Sequence, residues 1–140
     1  MIVPLVFMAV LAVEDMKYMK IKIFHILLFY ISIFLTIIIT NPSNLFNLII
    51  WSLIIYLPFR ICWIAGFKEY FGLGDVIIIP AVYLIIQDLY LSLLIILISY
   101  WGLIIYLKLI KKRTKAPYYP ILTVLTIMSY ILINLKEVIV

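Results

Sequence analysis

Charge is scarce in this sequence: only 12% of its 140 residues are Asp, Glu, Lys or Arg, about half the share of a soluble domain. With 69% apolar residues and a mean hydropathy of +1.33, there is too little polar side chain to coat a water-soluble globule. Lipid is the expected solvent. Cysteine is nearly absent as well. Cys62 stands alone, which excludes an intramolecular disulfide and any CxxC zinc site. The single histidine, His25, is expected to pack between helices or sit at an interface rather than bind metal, and neither a metal nor a cofactor is expected.

What remains is apolar sequence with polar punctuation. A spanning helix needs about 20 apolar residues, or as few as about 17 with help from its flanks. Residues 1–140 therefore have room for one domain of about six short spans. The net charge of +5 does not argue for nucleic acid, because the basic residues stand beside apolar runs and not on a polar face. Anionic lipid suits them better. Ala9 and Ala12 suggest a signal-peptide cleavage pattern, but nothing basic precedes Lys17, so a retained first helix with its N-terminus outside is expected.

The expected spans run from about Ile2 to Met16, Ile23 to Thr40, Leu45 to Ala65, Asp75 to Gln87, Tyr90 to Leu107 and Tyr118 to Leu135. Asn41-Pro42-Ser43-Asn44 is a strong turn signal between the second and third. Pro58 predicts a kink in span three. Span four is short and carries Pro80, which predicts a re-entrant or broken helix. With the N-terminus outside, Lys17, Lys20, Lys22, Arg60, Lys68, Lys108, Lys111, Lys112, Arg113 and Lys115 collect on the inner side, and only Lys136 falls outside. The positive-inside rule thus selects an all-α, polytopic membrane protein of about six transmembrane helices with both termini outside.

That topology sorts the six acidic residues. Asp88 and Glu137 lie at outer ends, while Glu14, Asp15, Glu69 and Asp75 lie at or near inner ends. Asp15 closes span one and Asp75 opens span four, so two carboxyls from different helices share a depth and a side. A carboxylate at the hydrocarbon boundary is costly and points to function. Two carboxyls within hydrogen-bond reach cannot both ionise cheaply, which yields a general base and a general acid from one residue type. Two other readings stay open: interfacial acids at helix ends, and Glu14 in place of Asp15, since neighbouring helix positions point about 100° apart. Gly72 and Gly74 are either a flexible turn or a means of bringing the backbone close to another helix or a substrate strand.

Three segments together resemble the archaeal and bacterial prepilin peptidases, the GxGD family of membrane aspartyl proteases. Asp15-Met16-Lys17-Tyr18-Met19-Lys20-Ile21 is similar to the family's D-x-R/K-x-x-x-I segment. Gly72-Leu73-Gly74-Asp75 resembles its GxGD, and Ala116-Pro117-Tyr118-Tyr119-Pro120-Ile121-Leu122 its P-F-x-P-F-L. The resemblance implies that Asp15 and Asp75 are the catalytic pair. It also implies that the partner is a pilin-like precursor with a basic leader and a hydrophobic helix, cut at the cytoplasmic face of the cell membrane. Lys17, Gly72, Gly74, Pro117 and Pro120 are the accompanying motif positions. Glu69 is a candidate contact for leader lysines, and the two prolines also suit a helix start after a basic loop.

The chain departs from the family pattern in two places. Lys22 and Ile23 stand where many members have Pro-Asn, and Ile77 stands where many have lysine. Larger bacterial members carry a cysteine-rich insert and methylate the new N-terminus; with a single cysteine, peptidase activity alone is expected here. Three alternatives remain: a non-enzymatic subunit of a pilus or secretion assembly, a proton-coupled transporter, and a presenilin-like protease. The transporter lacks a polar path outward. The presenilin-like branch carries Tyr before its first acid, where Glu14 stands here.

Overall fold

Each long apolar run forms one helix, and the polar breaks fall between helices. The computed structural model describes residues 1–18, 21–66, 73–109 and 118–139. Its helices are α1 (Ile2–Tyr18), α2 (Ile23–Thr40), α3 (Leu45–Ile64), α4 (Leu73–Ile86), α5 (Leu89–Leu109) and α6 (Tyr119–Ile139). A single 3-10 turn, Pro42–Asn44, joins α2 to α3 at the expected Asn-Pro-Ser-Asn segment. Among the described residues the molecule is all-α.

The buried faces follow helical periodicity. In α1 the inward line is Pro4, Met8, Leu11 and Ala12, and Asp15 continues it. In α2 it is Ile26, Phe29, Ile33 and Ile37. In α3 it is Leu48, Ser52 and Ile55. Helix α4 is different, being buried on every side from Ile78 to Ile86. It packs against α2, α3, α5 and α6, whereas α1 packs chiefly against α2 and α6. α4 is the axial element, and α2 and α6 bridge it to α1.

Helix α4 is short, as expected: at 14 residues it is about 21 Å long, less than a hydrocarbon layer of about 30 Å. It departs from expectation in being one unbroken helix that carries Pro80 internally. Its neighbours cover it, so its length need not match an outer boundary. Helix α3 likewise runs through Pro58 without ending.

The α4–α5 reversal is made by Gln87 and Asp88, and Leu89 already belongs to α5. Gln87 takes a left-handed backbone with φ of 59°, and the Asp88 carboxylate accepts the Leu91 N–H at 2.8 Å as the cap of α5. Small residues then let α6 approach α5. A Cβ placed on Gly102 would stand 3.4 Å from Cγ2 of Ile121.

The outward faces carry large apolar side chains in bulk. Examples are Ile2, Val6 and Val13 on α1, Ile39 on α2, Phe46 and Ile61 on α3, Leu97 and Trp101 on α5, and Leu132 on α6. By length and hydropathy, two helical segments are fit to cross a membrane: Ile23–Thr40 and Pro42–Ile64.

Candidate functional site

The site grows from the inward line of α1. Asp15 follows Met8, Leu11 and Ala12 on that line, so its carboxyl faces the bundle and is only 7% exposed. It stands in the last turn of α1, where the helix dipole disfavours an anion. Its partner comes from another helix: the Tyr119 N–H, at the start of α6, donates to Asp15 Oδ2 at 3.4 Å. That donor is one of the first-turn N–H groups that no helical carbonyl can satisfy. A long, buried contact of this kind joins α1 to α6.

Glu14, one position earlier, points elsewhere. Its Oε2 lies 2.7 Å from His25 Nδ1 on α2. The Glu14–His25 contact therefore holds α1 to α2, and Glu14 and Asp15 point to different helices. His25 takes the helix-packing place expected of it.

Asp75 enters from the other side. It sits half-buried in the first turn of α4, where the dipole favours negative charge. The start of α6 touches one acid and feels the charge of the other. The Tyr119 side chain lies within electrostatic reach of Asp15 and of Asp75, and Tyr118 within reach of Asp75. Both tyrosines are buried, at 2% and 0% exposure. Tyr118 donates to the Ile96 carbonyl of α5 at 3.4 Å, whereas the Tyr119 hydroxyl has no hydrogen-bond partner among the described residues.

A third tyrosine supports this arrangement from α2. The Tyr30 hydroxyl donates to the carbonyl of Ile77, two residues beyond Asp75. Pro80 has no N–H to give the Val76 carbonyl, so this part of α4 lacks a ladder bond that an ordinary helix would have. Tyr30 ties α4 to α2 beside that gap.

The remaining expected positions divide. Pro120 is the second residue of α6, a place that costs no helical hydrogen bond and matches its helix-start reading. Lys17 is exposed at the end of α1 with its ammonium 5.2 Å from the Tyr18 ring centre. Gly74 lies inside the first turn of α4, so it is not a flexible turn, and among the described residues a Cβ there would meet nothing within 4 Å, so no described helix presses on it. Gly72, Glu69 and Pro117 lie outside the described residues. Among the described residues no group of three His, Cys, Asp or Glu side chains could hold a metal ion.

Sequence reasoning missed the tyrosines as site residues. Tyr118 and Tyr119 were visible as an aromatic pair before Pro120, but nothing local marked Tyr30, which reaches α4 from 47 residues away. Set against known protein families, curated proteins and solved structures, the chain matches none.

Proposed function

We propose that the chain is a multi-pass protein of the cell membrane in which Asp15 and Asp75 form an aspartic peptidase dyad. Its substrate is a pilin-like precursor, of a type IV pilus or archaellum kind, cut after its basic leader at the cytoplasmic face. The membrane half rests on the outward apolar faces of α1, α2, α3, α5 and α6, far larger in extent than the patches of a soluble monomer. The basic residues gather at alternate helix ends, in keeping with the positive-inside rule. The catalytic half is carried by one observation: the Tyr119 N–H donates to Asp15, and the Tyr119 ring also feels the charge of Asp75 from another helix, while the neighbouring Glu14 is paired with His25.

The chemistry needs one shared proton and one water. The ionised carboxyl takes a proton from water as its oxygen attacks the peptide carbonyl carbon. The carbonyl electron pair moves to oxygen, which takes the proton of the other carboxyl and leaves a gem-diol. The first carboxyl then protonates the amide nitrogen and the C–N bond breaks. A gem-diol proton returns to the second carboxyl, so the pair ends as it began. No metal, cofactor or covalent intermediate enters. A Cβ on Gly74 would meet no described atom within 4 Å, and on this reading the extended substrate backbone approaches there, next to Asp75.

The test is cleavage of a pilin-like precursor from the same genome by purified protein in lipid vesicles. Wild type and Glu14→Gln should cut, and Asp15→Asn and Asp75→Asn should not. If wild type cuts nothing and all four proteins behave alike, the protein is a non-enzymatic membrane subunit.

A further inference from the structure

A buried hydroxyl without a partner costs about 1–3 kcal/mol, so most such groups in folded proteins are satisfied. Helix α6 carries two on one face, one turn apart. The Tyr119 hydroxyl and the Thr123 hydroxyl both lie in fully or nearly fully buried residues, 0% and 3% exposed, and neither is hydrogen-bonded among the described residues. The pattern is not general along α6, because Thr126 on the following turn satisfies itself on the Leu122 carbonyl at 2.7 Å.

The surroundings of Tyr119 say what its hydroxyl is for. Tyr30, Asp15 and Asp75 all act on it electrostatically, and none of them hydrogen-bonds its hydroxyl. Tyr30 cannot donate to it, since that proton is given to the Ile77 carbonyl. The backbone N–H of the same Tyr119 already contacts Asp15, so the ring is anchored at one end and its polar tip is left over. A donor fixed by its own backbone, buried beside two acids and unused, fits a ligand oxygen.

We propose that the Tyr119 hydroxyl is a third catalytic group, donating a hydrogen bond to the carbonyl oxygen of the bound peptide as charge builds on it. The inference rests on the peptidase reading and adds to the acid pair a neutral donor. Tyr119 transfers no proton: the oxygen is protonated by the acid, and the phenol supplies the second hydrogen bond that a single carboxyl cannot. Such a donor gains strength where water is excluded and needs no rearrangement at the moment of reaction. Thr123, whose hydroxyl also has no partner among the described residues, lies one turn further along the same face.

The discriminating variant is Tyr119→Phe, which deletes one oxygen and keeps the ring. In vesicles with the same precursor, kcat should fall at least about tenfold, KM should stay within about twofold, and the unfolding temperature should hold or rise, since no hydrogen bond is lost. A purely structural tyrosine would lower the unfolding temperature and activity together, and that result overturns the inference. So does a kcat equal to wild type. Tyr90→Phe, on a residue 85% exposed at the far end of the bundle, should change neither value. If wild type cuts and Asp15→Asn is dead while Tyr119→Phe cuts normally, the inference alone falls. If wild type cuts nothing, it falls with the peptidase reading.

Discussion

Replacing Tyr30 by Phe removes one hydroxyl and one hydrogen bond, the bond to the Ile77 carbonyl. The place matters more than the number. Pro80 has already deprived the Val76 carbonyl of its helical donor, so the turn that follows Asp75 is held partly from outside, by α2. A buried hydrogen bond contributes about 1 kcal/mol net, and in a chain of 140 residues that corresponds to an unfolding temperature lower by about 3–5 °C. The assay is thermal unfolding of wild type, Tyr30→Phe and Tyr119→Phe in one detergent. Tyr30→Phe should unfold earlier and Tyr119→Phe should not, although both lose one phenolic oxygen from neighbouring rings. Cleavage by Tyr30→Phe should drop only a few-fold, as Asp75 loses part of its tether and none of its chemistry. An unchanged unfolding temperature for Tyr30→Phe, or the reverse order of the two variants, would refute this account of how α4 is held.

Two further outcomes follow from the geometry. In a double-mutant cycle, Glu14→Ala and His25→Ala should be non-additive by about 0.5–1 kcal/mol, because the pair is partly exposed yet joins two helices; additivity would remove the α1–α2 contact from the account. Gly74→Ala should leave the unfolding temperature unchanged or raise it, by up to about 1 kcal/mol of helix propensity, since the new methyl meets nothing. Cleavage by the same variant should nevertheless fall, as the methyl stands where the substrate backbone approaches; full activity would return Gly74 to a plain helix-start residue.

Much of the helical layout was legible because polar residues are so rare that each one marks a boundary. Ile23–Thr40 and the turn at Pro42 were readable to the residue. Pro80 misled because local rules govern a proline only where tertiary contacts are weak. Pro80 sits in the most enclosed helix of the molecule, where α2 and α3 hold the backbone that the ladder does not. The acids were legible as residue types at matching depths, and their directions were not. Both Glu14 and Asp15 are buried, and which of them meets His25 and which meets α6 is set by contacts between helices that no spacing announces. Tyr119 was hidden for the same reason. Its hydroxyl stands out only by having no hydrogen-bond partner among the described residues, and that is a property of the packed molecule.

The most direct test of the central claim is whether Asp15 and Asp75 act as one unit. Turnover of the precursor would be measured for Asp15→Asn, Asp75→Asn and the double variant in vesicles, with unfolding temperatures recorded alongside. A dyad sharing one proton predicts that each single variant is as inactive as the double, with all three still folded, because removing either half ends the chemistry. Partial losses that multiply in the double variant, or a single variant that keeps wild-type turnover, would contradict it.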